Sequence, residues 1–199
     1  MIYVIGMGPG HLKYLTLEAI EAVQAADTVL AFGRIAETAE KIRRPVTRIM
    51  RMDEVLPFLS NEGRIAVLAS GDPCFYGIVD YLKRHDIAID AILPGLSSMQ
   101  YMMARLQKSW QQARFFSLHG RDEELEAIKQ SPLSVILTDS RNTPQDISQQ
   151  LKRLGLRGRL YVGYKLSYED ERILERKIGE EIEVCEAISL VVVEHELDS

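Results

Sequence analysis

The amino-acid sequence predicts an α/β protein whose first half forms a mostly parallel sheet with flanking helices and whose second half is a mixed α/β unit. Two observations predict this fold. Short apolar runs alternate with helix-periodic segments almost regularly through the first half, a pattern typical of a parallel sheet with helices on its faces. After the polar segment 107–114, the last three apolar segments follow one another without helices between them, which indicates antiparallel pairing.

The strands of the first half are short apolar runs bounded by turn residues. The run Ile2–Ile5 is stopped by Gly6, and such a run is typical of a buried parallel strand. The same reasoning places further strands at 28–32, 46–49, 65–69 and 87–93.

The helices between these strands are predicted from apolar residues at three- and four-residue steps. From Phe75 to Leu82 the apolar residues fall at i, i+3, i+4 and i+7, the stripe of an amphipathic helix. Thr16 is a suitable N-cap for the first helix. The predicted helices cover 17–26, 35–42, 53–60, 75–82 and 99–106.

The second half mixes strands and helices in a different order. The helix at 144–154 has clear start signals, with Thr143 as N-cap and Pro144 at the first helical position. The other predicted elements are strand 114–118, helix 122–130 and strands 133–138, 159–164, 171–178 and 187–194. We place the domain boundary at the polar segment, which gives domains 1–112 and 113–199.

Composition excludes several classes of protein. The 199 residues are 46% hydrophobic and 27% charged, a globular balance, and the formal net charge of -5 provides no general field for nucleic acid. No apolar run approaches the ~20 residues of a membrane span, and the N-terminus lacks the basic segment of a signal peptide. Cys74 and Cys185 lack metal-ligand spacing, so we expect a cytoplasmic protein with no bound metal and no disulfide framework.

Three loops with turn-forming residues follow predicted strands of the first half. They are Gly6–Gly10, Ser70–Pro73 and Pro94–Ser98. In open α/β sheets ligands bind beyond the carboxyl ends of the strands, so these loops are the candidate site. A structural role explains part of the pattern, because the first loop can be a simple tight turn, and Asp72 and one of the two serines can cap the helices that follow.

A dinucleotide site fits the first loop poorly. The G-x-G-x-x-G spacing is absent, because His11 follows the third glycine and that glycine comes one residue early. The second strand leads into Gly33 and Arg34 rather than into the acidic residue that holds a ribose. A nucleotide-binding oxidoreductase is therefore the less favoured alternative.

The three loops, in this order and spacing, resemble those of the tetrapyrrole methylase family, which uses S-adenosyl-L-methionine. Gly6–Gly10 matches the G-x-G-x-G loop, Gly71–Pro73 matches the G-D-P loop, and Pro94–Ser98 matches P-G-[IV]-S-S with Leu96 as a departure. The segment Ser117–Arg121 is similar to the branch that methylates C-5 of cobalt-precorrin-7 in cobalamin biosynthesis. The resemblance implies a two-domain fold with the cofactor in a cleft between the domains.

The resemblance also implies which residues form the site. The cofactor residues carried over in this way are Leu12, Asp72, Phe75, Ser97, Ser98, Leu137, Thr138 and Tyr164, with Lys165 beside the last of them. The substrate is rimmed with carboxylates, which arginine recognises in bidentate pairs. The candidate substrate residues are Gly8, Pro9, Arg34, Arg121 and Arg141.

His119 is the candidate base or hydrogen-bond donor, and its alternative role is to cap the helix predicted near Asp122.

The resemblance further implies a homodimer. Some relatives carry a fused C-15 methyltransferase and decarboxylase, and the resemblance implies the C-5 module alone for this chain, so we expect that second activity in a separate protein. Two alternatives remain: a methylase acting at another precorrin position or on another substrate, and a non-catalytic scaffold that binds tetrapyrroles.

Overall fold

The computed structural model describes residues 1–119, 123–183 and 189–196. Contacts within the chain divide it into two compact units, Met1–Ser98 and Met99–Ser199. The boundary predicted near residue 112 lies further along the chain. The segment 99–112 groups with the second unit because its side chains contact the second sheet, as Met102 does against Gly163.

The first unit contains a five-stranded parallel sheet with the strand order β3-β2-β4-β1-β5. Its strands are β1 (Ile2–Gly6), β2 (Thr28–Phe32), β3 (Thr47–Ile49), β4 (Ile65–Ala69) and β5 (Ala91–Leu93). In the register of the three adjacent strands, Ile5 lies beside both Leu68 and Leu93. The predicted parallel sheet is therefore confirmed, and its central strands are buried because helices cover both faces.

Alternate residues of β1 pack into the hydrophobic cores on opposite faces of this sheet. Ile5 packs in one core with Val23 of α1, and Val4 packs in the other with Leu82 of α3. The hydroxyl of Thr16 accepts a hydrogen bond from the Ala19 N–H at 3.1 Å, so the predicted N-cap is confirmed. The helices that begin in this unit are α1 (Leu17–Ala25), α2 (Ile35–Ala39), α3 (Val79–Arg84) and α4 (Ser98–Arg105).

Several predicted elements are shorter than their sequence patterns. The helix predicted at 75–82 begins only at Val79, because Tyr76 has a φ of 52° and a Cβ on Gly77 would lie 2.2 Å from the Pro73 carbonyl oxygen. The strand predicted at 87–93 is reduced to β5. The helices predicted at 53–60 and 122–130 are 3₁₀ helices that cover Met52–Phe58 and Leu125–Gln130.

The second unit contains a mixed five-stranded sheet with the order β6-β7-β10-β8-β9. Its strands are β6 (Arg114–Ser117), β7 (Leu133–Leu137), β8 (Gly158–Tyr164), β9 (Arg172–Lys177) and β10 (Ser189–His195). Strands β6 and β7 are parallel, whereas β10 pairs antiparallel with β7 and β8. Strand β9 pairs antiparallel with β8. The antiparallel pairing predicted for the last three strands is confirmed.

The helix α5 (Pro144–Arg153) covers one face of this sheet. Thr143 and Asp146 form a capping box at its N-terminus, and Ile147 and Leu151 pack in one core with Val162. Among the residues that the structure describes, no helix has both the length and the apolar composition to cross a membrane.

A partly buried ion pair joins the loop after α4 to the second sheet. The Nζ of Lys108 lies 2.6 Å from Oε1 of Glu194, and the Tyr161 hydroxyl donates to Oε2 of the same carboxylate at 2.9 Å. Burial alone would raise the pKa of Glu194, but the hydrogen bonds from Lys108 and Tyr161 outweigh it and hold that pKa below its ordinary value.

We therefore expect Glu194→Gln to lower the free energy of unfolding by about 1 kcal/mol at neutral pH, since the pair is partly exposed. The folded-state pKa of Glu194 is depressed, so its stabilisation is present above pH 4.5, the ordinary value, and is lost as the pH falls through the folded value. Urea denaturation across the acid range measures the difference in unfolding free energy between the wild type and Glu194→Gln at each pH. The control is Glu126→Gln, which breaks the exposed pair with Lys129 and should lower the free energy of unfolding by less. A Glu194→Gln difference that stays constant into acid contradicts the prediction.

Candidate functional site

The three predicted loops lie side by side at the carboxyl edge of the first sheet. They follow β1, β4 and β5, which are neighbours in the order β4-β1-β5. The Met7 N–H donates to the Ala69 carbonyl at 2.9 Å, and the Gly71 N–H donates to the Gly8 carbonyl at 2.8 Å. The first two loops are thus joined directly through their backbones.

Three glycines, one from each loop, allow the backbones to approach within contact distance. A Cβ on Gly6 would lie 2.5 Å from the Gly95 nitrogen and 2.8 Å from the Gly71 oxygen. A Cβ on Gly95 would lie 2.2 Å from that same Gly71 oxygen. No real Cβ fits at such distances, so packing requires a glycine at Gly6 and at Gly95, whereas Gly71 is favoured by its φ of +64°. We call Gly6, Gly71 and Gly95 the glycine cluster.

Asp72 connects the second loop to the third. Its Oδ1 accepts from the Cys74 N–H at 2.8 Å, and its Oδ2 accepts from the Gly95 N–H at 3.4 Å. The sequence predicted Asp72 at the cofactor. The structure gives its carboxylate a bond within its own turn and a second bond to the glycine cluster.

The remaining candidate residues of the first unit surround this edge. Leu12 lies in a short 3₁₀ helix just after the first loop, and Phe75 makes an edge contact with Tyr76, with ring centroids 5.0 Å apart. Ser97 is buried, and Ser98 is the first residue of α4. Both serines therefore lie at the junction of loop and helix that their sequence pattern predicts.

The candidate substrate residues of the first unit differ in exposure. Gly8 and Pro9 are buried in the first loop, whereas Arg34 is exposed after β2. Sequence reasoning missed Thr38 of α2. Its buried hydroxyl donates to the Gly10 carbonyl at 2.7 Å and holds the outer end of the first loop. No sequence signal marks this bond, because its partners are 28 residues apart.

In the second unit, Leu137, Thr138 and Tyr164 lie at one end of the sheet. The Thr138 hydroxyl donates to the Ser189 carbonyl at 2.7 Å and accepts from the Ser189 N–H at 3.1 Å. The Tyr164 hydroxyl donates to the Glu183 carbonyl at 3.0 Å. Both hydroxyls are therefore engaged within the protein, and the Tyr164 ring is buried in the core of the second unit.

His119 is exposed beside the same strand end. Its Nδ1 lies 3.3 Å from the Thr138 carbonyl oxygen, and because that oxygen only accepts, Nδ1 carries the hydrogen and Nε2 carries the lone pair in the neutral ring. The 3₁₀ helix that follows begins at Leu125. Arg141 is exposed in the loop after β7, where its N–H donates to Asp139 at 2.9 Å. Arg121 lies outside the described residues.

Across 1–119, 123–183 and 189–196, no three acidic, histidine or cysteine side chains group closely enough to hold a metal ion.

Comparison with known proteins assigns the chain to a family. The model of the Tetrapyrrole (Corrin/Porphyrin) Methylases matches residues 1–181. The chain belongs to the tetrapyrrole methylases. Relatives of this tetrapyrrole methylase include a probable cobalt-precorrin-7 C(5)-methyltransferase from Methanocaldococcus jannaschii, which is 31% identical over 90% of each chain. The cobalt-precorrin-7 C(5)-methyltransferase of Salmonella typhimurium is 33% identical over 87% of this chain and 89% of its own length.

Solved structures agree with this assignment. The precorrin-6Y methylase from Archaeoglobus fulgidus is 29% identical, with a TM-score of 0.76 over 99% of both chains. The uroporphyrin-III C-methyl transferase from Thermus thermophilus, solved in complex with S-adenosyl homocysteine, shares the fold with a TM-score of 0.78 over 96% of both chains at 21% identity. The two-domain tetrapyrrole methylase fold expected from the three loops is confirmed.

The glycine cluster of this tetrapyrrole methylase generates a prediction on stability. Gly95→Ala places a methyl group against the Gly71 oxygen, so the loops must separate, and we expect a loss of about 1–3 kcal/mol in unfolding free energy, typical of overpacking. The matched control is Gly155→Ala, where φ is +81° but no atom lies within 4 Å. It is expected to cost about 1 kcal/mol through backbone strain alone.

Guanidinium denaturation of both variants measures the difference, and amide chemical shifts report the loop movement. In Gly95→Ala the amides of Gly6 and Gly71 should shift, and in Gly155→Ala they should not. Unchanged shifts at Gly6 and Gly71 in the first variant contradict the close packing of the three loops.

Proposed function

We propose that this protein transfers a methyl group from S-adenosyl-L-methionine to C-5 of cobalt-precorrin-7 in cobalamin biosynthesis. The observation that carries this proposal is the full-length similarity to two relatives named for that reaction, at 31% and 33% identity. The intact glycine cluster and the serine pair agree with an active methyltransferase rather than with a scaffold.

The position of methylation is supported by the extent of the similarity. A relative named as a probable cobalt-factor III C(17)-methyltransferase is 24% identical over only 53% of this chain. The relatives named for C-5 match along nearly all of it. The greater extent of this similarity favours the C-5 branch.

The residues at the strand ends fit S-adenosyl-L-methionine. A Cβ on Gly71 would lie 3.4 Å from Ser97, so the second loop packs directly beside the proposed serine pair. The hydroxyls of Ser97 and Ser98 suit its polar amino-acid and ribose groups, and the Asp72 carboxylate supplies negative charge that favours a sulfonium. Phe75, Leu12 and the backbone at Leu137, Thr138 and Tyr164 complete the proposed cofactor set.

When bound, this cofactor supplies a methyl group on a positively charged sulfur, to be accepted by an electron-rich ring carbon. Such an acceptor needs no protein nucleophile, so the task of the chain is to orient the two reactants. Proximity and orientation contribute up to roughly 7–11 kcal/mol in the best intramolecular models. The glycine cluster and Asp72 serve this role by fixing the three loops relative to one another.

The substrate is recognised through its carboxylates in this proposal. Arg34 and Arg141 are exposed after strand ends, where a guanidinium can pair with acetate and propionate groups. Gly8 and Pro9 form the floor of the tetrapyrrole trough, and Arg121 is a further proposed contact.

His119 is the proposed base for a proton leaving the macrocycle. Its Nδ1–H is directed at the Thr138 carbonyl, which leaves Nε2 to receive the proton. The expected result of His119→Ala is a fall in kcat of about 10²- to 10⁴-fold, the usual contribution of general base catalysis, with unchanged affinity for S-adenosylhomocysteine.

His195→Ala is the matched control, since His195 also directs Nδ1 at a carbonyl, that of Arg157 at 3.0 Å. This control should retain wild-type kcat. Equal kcat in the His119 variant and the wild type excludes His119 as the base.

We also propose a homodimer in the cytoplasm that works beside a separate C-15 methyltransferase and decarboxylase. The exposed thiol of Cys74 supports a reducing compartment. The separate partner is supported by the relatives' names, which give C-5 activity alone although about nine-tenths of their length is matched.

Two measurements test the proposed reaction. Calorimetry should show binding of S-adenosylhomocysteine and not of NAD. Incubation of the protein with cobalt-precorrin-7 and ¹³C-methyl-labelled cofactor, followed by NMR, should place the label at C-5. Absence of binding overturns the methyltransferase assignment, and a label at another ring carbon overturns the assigned position.

A further inference from the structure

The loop that follows β8 has an unusual backbone. Lys165 and Ser167 have φ values of 47° and 74°, in the left-handed region that residues with a Cβ rarely adopt. Such conformations persist only where surrounding contacts hold them, and they occur often at ligand-binding sites. The contacts that hold this loop therefore identify residues that position it.

One carboxylate makes several of these contacts. Oε2 of Glu171 accepts from the Ser167 N–H at 2.7 Å, and Oε1 accepts from Nε of Arg105 at 3.0 Å. The Tyr101 hydroxyl donates a further hydrogen bond to it. Tyr101 and Arg105 belong to α4, so Glu171 connects the strained turn to that helix. Its side chain is only 14% exposed.

Apolar side chains of the loop and of α4 also meet at β8. Leu166 folds back over β8, where a Cβ on Gly163 would lie 2.7 Å from a Leu166 methyl carbon and 3.0 Å from the Met102 sulfur. Met102 is buried on α4. Leu166 of the loop and Met102 of α4 therefore both pack against Gly163, and Glu171 fixes the conformation of the loop.

Burial alone would raise the pKa of Glu171. The hydrogen bonds from Tyr101, the Ser167 N–H and Arg105 outweigh this effect and hold the pKa below its ordinary value. Glu171 is therefore ionised at neutral pH, and its hydrogen bonds are of the stronger, charge-assisted kind.

We propose that Glu171 is a positioning residue for the cofactor: through Ser167 and α4 it holds the loop Lys165–Asp170 in the conformation that receives S-adenosyl-L-methionine. The inference rests on the proposed function, which includes Tyr164 in the cofactor set, and the loop begins at the next residue, Lys165. Glu171 acts through the loop, and the same helix α4 begins at Ser98, another proposed cofactor residue.

The test compares Glu171→Ala and Glu171→Gln with wild type by S-adenosylhomocysteine calorimetry and by amide hydrogen exchange. If the loop in Glu171→Ala is in its binding conformation about a tenth of the time, the dissociation constant rises about tenfold. Glu171→Gln retains an acceptor and should show a smaller rise. The Ser167 amide should exchange faster in Glu171→Ala, and the KM for S-adenosyl-L-methionine should rise more than kcat falls.

Glu175→Ala is the matched control, because it breaks the ion pair of Glu175 with Arg159 on neighbouring strands and leaves the loop intact. It should bind with wild-type affinity. A Glu171→Ala protein with a lower melting temperature but wild-type affinity and Ser167 exchange overturns the proposal. Failure of the wild type to bind overturns the proposed function instead, and Ser167 exchange then still decides whether Glu171 holds the loop.

Discussion

The close backbone contact among Gly6, Gly71 and Gly95 is the constraint on which the candidate site depends. It requires β1, β4 and β5 to be adjacent, and it requires residues without a Cβ at Gly6 and Gly95. The position of Asp72 and the start of α4 follow from it, because Asp72 bonds to Gly95 and α4 begins three residues later.

Most of the fold could be predicted from local patterns. Apolar runs ended by glycine located the parallel strands, and the Thr16 and Thr143 caps located two helix starts. The start of α3 could not be predicted, because the apolar stripe from Phe75 is helical in spacing whereas the turn around Gly77 is set by contact with Pro73. Tertiary packing overrides periodicity at such positions.

The candidate site could be predicted as a set of loops but not as a set of hydrogen bonds. Turn residues indicate where backbones approach, so the loops were identifiable. Thr38 and Glu171 were not, because Gly10 and Arg105, which they bind, lie 28 and 66 residues away and ordinary threonines and glutamates carry no local signal. Thr138 was predicted at the cofactor as part of a strand end, and no sequence signal indicated that its hydroxyl bonds to Ser189.

The register of the first sheet has a consequence for folding kinetics. Strand β1 pairs with β4, from Ile2 beside Ile65 to Gly6 beside Ala69, and with β5 still further along the chain. Closing such long segments costs chain entropy before any pairing contact is gained, and proteins rich in distant contacts fold slowly. The glycine cluster cannot exist until both closures are complete. A partly folded chain, or one emerging from the ribosome, therefore has no assembled loop cluster.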